Sequence, residues 1–229
     1  MNTCGDGTLD LLASVYARGV THAVALMRHS AREFDRGKND LANPLTEEGR
    51  MLAYRFGERL PKQLMVRGYA SPPERCLETA SLLIDGHRDR GGEATRRRPV
   101  EGLGVFYVLD QMKMWKRMDF VGGLVPFLNA WFRGEVPMDT MIPAELAAKL
   151  VLRVIAGKLR STIAPEQLDV CVSHDMTLHL VRDRLLGRNV GDHAVDFLDA
   201  LVVYELDGAL WAATHDGEPR IVDLALEAC

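Results

Sequence analysis

Short apolar runs that alternate with longer amphipathic segments constrain the fold of this chain most strongly. Runs of strand length occur at residues 22–27, 63–70, 168–172 and 200–206. Segments with helical character separate most of them, and parallel strands need such long crossovers, whereas antiparallel strands can be joined by a tight turn. The sequence therefore predicts an α/β fold, a three-layer α/β/α sandwich with a mainly parallel central sheet and a helical insertion.

Capping and turn residues delimit the predicted elements. Thr46 can cap a helix whose first turn carries Glu47 and Glu48, where negative charge is favourable. The predicted helices span residues 8–17, 46–61, 71–83, 143–160 and 175–186. Asp207-Gly208 lies between two β-rich runs, 200–206 and 209–214, and predicts a hairpin turn.

The region from Glu101 to Thr140 is less regular and rich in aromatic residues and methionine. With 229 residues, the chain suits a single domain with an insertion, and we predict that residues 101–140 form a lid or insertion over the site. The alternative is that most of these apolar side chains pack the core of a small helical subdomain. Within residues 101–140, the basic side chains either contact an anionic substrate or form a solvated helix face; they are Lys113, Lys116 and Arg117.

Charge and cysteine usage limit the partners and the compartment. The net charge is −4, so no overall basic field attracts nucleic acid or an anionic membrane. The four cysteines form no C-x-x-C pair, which argues against a zinc site and a disulfide framework. Residues 1–20 lack the pattern of a signal peptide, and no apolar stretch is long enough to span a bilayer. We expect a cytoplasmic protein without metal or cofactor, and its oligomeric state stays open.

Three short motifs follow predicted strands. They are Arg-His-Ser-Ala-Arg at 28–32, Ser-Pro-Pro-Glu-Arg-Cys-Leu-Glu-Thr-Ala at 71–80, and Ser-His-Asp at 173–175. In open α/β sheets, ligands bind at the carboxyl ends of the strands, so the three motifs are expected to converge there. Taken singly, each has an ordinary structural explanation: a polar strand end, an exposed helical arginine and a helix cap.

Together and in this order, the motifs resemble the histidine phosphatase superfamily, which includes metal-independent acid phosphatases and phosphoglycerate mutase-like enzymes. The resemblance runs from about residue 22 to residue 187. It implies that His29 is the nucleophile and that Arg28, Arg75 and His174 complete the phosphate pocket, with Arg32 as an additional arginine. Guanidinium groups suit this role because they pair with phosphate oxygens in a bidentate way.

Two carboxylic acids are candidates for the proton donor to the leaving alcohol. The acid-phosphatase branch often has His-Asp at its second histidine, which favours Asp175. The mutase-like branch takes a glutamate from the region after the second strand and its helix, which is where Glu101 lies. Ser30 departs from the family because most members have glycine after the nucleophile, so its side chain either narrows the pocket or donates a hydrogen bond.

The resemblance implies a phosphatase that hydrolyses a phosphomonoester through a phosphohistidine on His29. The alternatives are a phosphoglycerate mutase-like phosphotransferase and a non-catalytic protein that binds a phosphorylated ligand. Asp175 weakens the mutase alternative, because mutase-like members typically have glycine after the second histidine. Sugar phosphates, nucleotides, other phosphorylated metabolites and phosphoproteins all remain open as substrates.

Overall fold

The computed structural model describes residues 4–35 and 40–224, apart from the side chain of Leu41. The helices within this part of the chain are α1 Asp6–Ala17, α2 Glu47–Glu58, α3 Glu74–Asp89, α4 Gln111–Phe120, α5 Leu124–Phe132, α6 Ala144–Leu159 and α7 Asp175–Leu186. Short 3-10 helices occur at Asp40–Ala42 and Glu101–Leu103. The strands are β1 His22–Arg28, β2 Met65–Ala70, β3 Glu93–Ala94, β4 Arg98–Pro99, β5 Gln167–Ser173, β6 Ala200–Leu206, β7 Ala209–Ala213 and β8 Arg220–Ile221.

The described strands form one mixed sheet in the order β3-β2-β5-β1-β6-β7-β8, with β4 also paired to β2. Strands β1 to β5 run parallel, whereas β6, β7 and β8 form an antiparallel meander that joins the sheet along β1. The predicted fold class is confirmed. The hairpin between β6 and β7 is also confirmed. Asp207 and Gly208 both have positive φ, at 53° and 73°, as a two-residue type I′ hairpin turn requires.

Helices cover both faces of the sheet because the side chains of each strand alternate between them. On β1, Ala25 and Met27 join a core cluster with residues of α1, α2 and α3. Val24 and Leu26, on the opposite face, join a second cluster with residues of α6 and α7. The buried strands of this sheet therefore read as continuous apolar runs rather than as alternating ones.

Two glycines set how closely α2 and α3 pack. A Cβ atom at Gly57 would lie 2.0 Å from the Leu83 carbonyl oxygen, and one at Gly86 would lie 2.1 Å from the Tyr54 carbonyl oxygen. The helices therefore touch backbone to backbone, which only glycine allows. This contact fixes α3, the helix that carries Arg75 in its first turn. The helix extends to Asp89, beyond the predicted end at Leu83, because tertiary packing continues along it.

The segment 101–140 is more regular than its sequence indicates, since it contains α4 and α5. Its aromatic side chains pack mainly with one another and with α6 and α7 in a third apolar cluster, which includes Tyr107, Phe127 and Trp131. The packing alternative therefore holds for most of them. Phe120 differs, since 89% of it is exposed. None of the helices in the described part of the chain combines the length and the apolar character needed to cross a membrane.

Candidate active site

Three neighbouring parallel strands bring the three sequence motifs to one edge of the sheet. Strand β5 lies between β1 and β2, with Arg28 in register with Ser173, and Ala70 with Val172. The chain that leaves each strand continues directly into the site. The His29 amide donates to the Ser173 carbonyl at 3.0 Å. The sheet therefore brings the three motifs together at the strand ends, as predicted.

The tautomer of His29 follows from its two hydrogen bonds. Its Nδ1 lies 2.8 Å from the Ser30 carbonyl oxygen, which can only accept, so Nδ1 carries the proton. Its Nε2 lies 3.1 Å from Nε of Arg75, which can only donate, so Nε2 carries the lone pair. His29 is buried, with 3% of its surface exposed. The site thus presents a neutral imidazole whose Nε2 is available as a nucleophile.

His174 is fixed in the opposite tautomer. The Arg75 guanidinium lies 3.3 Å from Nδ1 through Nη2, so Nδ1 accepts. The proton therefore resides on Nε2, which donates to the Ser71 hydroxyl at 2.9 Å. The His29 and His174 rings stand edge to face with centroids 5.6 Å apart. Arg75 therefore bridges both imidazoles and sets the orientation of each.

Burial keeps both histidines uncharged. Loss of solvation lowers the pKa of His29 well below its usual 6.5, and His174 and Arg75 lower it further by electrostatic repulsion. The same loss of solvation, reinforced by Arg75, lowers the pKa of His174 to about 3. Both imidazoles are therefore neutral at physiological pH, and a neutral imidazole nitrogen can act as a nucleophile without a general base.

Arg32 and Arg75 meet at a carboxylate that sequence reasoning missed. Asp40 pairs with Arg32 at 2.7 Å and with Arg75 at 3.4 Å, and its backbone carbonyl accepts from Arg75 at 2.8 Å. Asp40 begins the short 3-10 helix Asp40–Ala42 and belongs to none of the three motifs. The only sequence signal for it was that the motif arginines need an acidic partner. Ser71 was part of a motif, but its contact with His174 was not expected.

Arg28 points away from the position that the resemblance implies. Its guanidinium donates to the Val195 carbonyl at 2.7 Å, pairs with Asp175 at 3.2 Å and lies 4.2 Å from the centre of the Phe197 ring. Arg28 does not line the cavity described below, whereas Arg32 and Arg75 do. In this structure Arg28 contacts the site through Asp175.

The two candidate proton donors occupy different surroundings. Asp175 is the first residue of α7, lines the cavity, and accepts from the Met176 amide at 2.8 Å through its own carboxylate. Glu101 is exposed in a 3-10 helix and does not line the cavity. The structure therefore brings Asp175, and not Glu101, to His29 and His174.

Ser30 turns its side chain away from the cavity. Its hydroxyl donates to the Gly49 carbonyl at 2.7 Å, and the residue is fully buried. Of the two predicted roles for this side chain, the structure shows the hydrogen bond, and the side chain does not narrow the pocket. The cations of α4 also stay out of the cavity. Lys113 pairs with Asp139 at 2.6 Å, Arg117 donates to the Glu135 carbonyl at 2.8 Å, and neither lines it.

A cavity of about 410 Å³ opens onto these groups. Its ionisable lining residues are His29, Arg32, Asp40, Arg75, His174 and Asp175. Its apolar lining residues include Phe34, Met114, Trp115 and Met118. Among the residues that the structure describes, no group of three or more histidine, cysteine, aspartate or glutamate side chains is arranged to hold a metal ion. The arrangement suits a ligand with an anionic end and an apolar end.

Comparison with protein families identifies the first two motifs independently. Residues 24–96 match the family model of the histidine phosphatase superfamily (branch 1). This stretch contains His29 and Arg75, whereas His174 lies beyond it and reaches the site through β5. No curated protein matches the chain by sequence. The resemblance that the motifs predicted is confirmed.

Solved structures share the fold at low sequence identity. A phosphoglycerate mutase from Bacillus anthracis aligns with a TM-score of 0.60 at 16% identity and covers 84% of this chain and 91% of its own. A phosphoserine phosphatase from Entamoeba histolytica, in complex with 3-phosphoglyceric acid, gives 0.55 at 16% identity, with 86% and 98% covered. A mycobacterial glucosyl-3-phosphoglycerate phosphatase gives 0.52 at 17%, with 79% and 89% covered. At these identities the likeness establishes the fold.

Proposed function

We propose that this member of the histidine phosphatase superfamily is a phosphatase that hydrolyses a phosphomonoester through a phosphohistidine on His29. The observation that carries the proposal is the state of His29. Its Nε2 holds a lone pair, its Nδ1 proton is held by the Ser30 carbonyl, and Arg75 lies 3.1 Å from Nε2. A neutral, oriented imidazole beside a permanent cation is what nucleophilic attack on a bound phosphate requires.

In the first step, Nε2 of His29 attacks phosphorus and a P–N bond forms as the bond from phosphorus to the ester oxygen breaks. Arg32 and Arg75 donate hydrogen bonds to the phosphoryl oxygens, where charge accumulates, and His174 lies beside them with its Nε2 proton held by Ser71. Bound phosphate oxygens then replace Nε2 and Nδ1 of the two imidazoles as acceptors for Arg75. Asp175 supplies the proton that the leaving alcohol takes up.

In the second step, water attacks phosphorus and the P–N bond breaks, which releases inorganic phosphate. The Asp175 carboxylate takes the proton from the attacking water and returns to its starting state. His29 recovers its lone pair. The proposal assigns the acid to Asp175 because that carboxylate lines the cavity and Glu101 does not. Arg28 serves by holding the Asp175 carboxylate at 3.2 Å.

The decisive test replaces the nucleophile. We expect His29→Ala to fold and to lose at least about a thousandfold in kcat against p-nitrophenyl phosphate, because the covalent route disappears. The matched control is His193→Ala, which removes a histidine that pairs with Asp216 away from the cavity and should leave the rate unchanged. Near wild-type turnover by folded His29→Ala would overturn the proposal.

Rapid-quench analysis of the wild type distinguishes hydrolysis from phosphoryl transfer. A phosphatase is expected to release phosphate to water at the steady-state rate, with an acid-labile phosphoenzyme that is absent in His29→Ala. A phosphoenzyme that resists water but passes its phosphoryl group to a second phosphorylated alcohol would instead indicate a mutase. Tight binding of phosphomonoesters without a phosphoenzyme would indicate a binding protein.

A further inference from the structure

Much of the cavity lining is apolar, and helix α4 provides a large share of it. Gln111, Met114, Trp115 and Met118 all line the cavity. Their spacing of three and four residues places them on one side of the helix. Met114 and Met118 are buried members of the third apolar cluster, and Trp115 is half-buried and packs against the same cluster. One face of α4 thus lines the cavity.

Other elements continue this apolar wall. Val105 and Val108 precede α4, Leu124 begins α5, and Met176 follows Asp175 on α7. Phe34 also lines the cavity, where its ring centre lies 5.2 Å from the Arg32 guanidinium, and it is 61% exposed. Methionine side chains adapt to irregular apolar shapes, and aromatic rings offer large contact areas.

The charges of the cavity are concentrated at its phosphate end. Among the described lining residues the permanent cations are Arg32 and Arg75, and both already contact Asp40. A carboxylate or a second phosphate on the leaving group would face the apolar wall, where an unpaired charge is strongly disfavoured. Lys113 and Arg117 cannot compensate, because each is engaged with α4's outer neighbours, Asp139 and the Glu135 carbonyl.

From this division we infer that the site takes phosphate monoesters of large apolar alcohols, with the hydrocarbon group packed against Trp115, Phe34 and the methionines of α4. The inference rests on the proposed function for its phosphate end. In this inference the protein selects its substrate by the apolar area that the alcohol group buries, and not by a charge on that group. The phosphoglycerates and phosphoserine would then be poor ligands, despite the shared fold.

The test measures binding separately from turnover by using alkylphosphonates, whose P–C bond cannot be hydrolysed at this site. Calorimetry with the ethyl to octyl compounds should show affinity rising by about fourfold per added methylene until the cavity is filled. A second pair, butylphosphonate and 3-phosphonopropanoate, is similar in length but differs in terminal charge. The carboxylate compound should bind at least about tenfold more weakly.

Variants locate the effect within the cavity. Trp115→Ala should weaken octylphosphonate binding roughly tenfold to a hundredfold and leave ethylphosphonate nearly unchanged. Phe34→Ala, at an exposed position, should reduce the same difference without a risk to folding. Phe120→Ala removes another aromatic side chain of α4, which is 89% exposed and does not line the cavity, and should change neither affinity.

Three results would overturn the inference: affinity independent of chain length, equal or tighter binding of 3-phosphonopropanoate, or a length dependence that survives in both cavity variants. The second result would direct attention to Arg36 and Lys38, which lie outside the described residues. Octylphosphonate that binds as expected, together with octyl phosphate that is not hydrolysed, would overturn the proposed phosphatase activity and leave the apolar site in place.

Discussion

Buried neutral histidines should make this protein lose stability at mildly acidic pH. His174 and His179 are both less than a tenth exposed, and burial, their largest influence, lowers their pKa values to about 3 and about 4 from the usual 6.5. In the unfolded chain both imidazoles are solvated and take up protons near pH 6.5. The unfolded state therefore binds more protons than the folded state throughout the window between these values.

The sign and the magnitude follow from proton linkage. The stabilisation is fully present above pH 6.5 and is lost as the pH falls towards the folded-state values. At about pH 5 each of the two histidines contributes a loss of about 2 kcal/mol, or about 4 kcal/mol together. His29, whose pKa is lowered well below 6.5, adds to the loss in the same direction. This is a large part of the 5 to 15 kcal/mol or so that stabilises a typical domain.

The assay is urea unfolding followed by tryptophan fluorescence at about pH 7.5 and about pH 5, at constant ionic strength. Carboxylates with lowered pKa values contribute little to this difference, because they titrate mainly below about pH 4. The control is His179→Gln, which removes one buried imidazole outside the cavity and should reduce the loss by about 2 kcal/mol. Equal free energies of unfolding at the two pH values, or an undiminished loss in His179→Gln, would refute the reasoning.

Three further outcomes are expected. Activity should survive exhaustive chelation of divalent metals. If activity were lost and one specific metal restored it, the proposal that arginine side chains bind the phosphate without metal would be contradicted. Asp175→Asn should slow alkyl phosphates far more than aryl phosphates with acidic phenols, because only the former need a proton to leave, whereas Glu101→Gln should slow neither; the reverse pattern would move the acid to Glu101. Ser30→Gly should keep the catalytic rate while losing about 1 kcal/mol in urea unfolding, since it deletes the hydrogen bond to Gly49 and leaves the cavity wall intact; a large change in KM would show that Ser30 shapes the pocket.

The active-site motifs were recognisable in the sequence because each is local. An imidazole between two arginines directly after an apolar run needs only a strand to place it at a sheet edge. The same holds for Asp175, whose position after His174 fixed it as the first residue of α7. By contrast, nothing near Arg28 in the chain predicted that its guanidinium would turn towards Val195 and Asp175 instead of into the cavity.

Loop residues without a motif were also beyond prediction. Asp40 contacts both Arg32 and Arg75, and no local sequence pattern indicates either contact. The sequence of residues 101–140 gives little sign of regular structure, yet α4 and α5 form there because their apolar sides pack with α6 and α7.

The sequence by itself determined the main strands, the five helices outside residues 101–140, the hairpin at Asp207-Gly208, and the identity of the residues brought to the sheet edge. These features depend on backbone preferences and on side-chain periodicity within a few residues. The tertiary structure alone decided which imidazole nitrogen of His29 carries the lone pair and which carboxylates share its cavity. It also decided which apolar side chains line the same cavity. Each of these depends on contacts between segments far apart in the chain, whose geometry is set by how the layers pack.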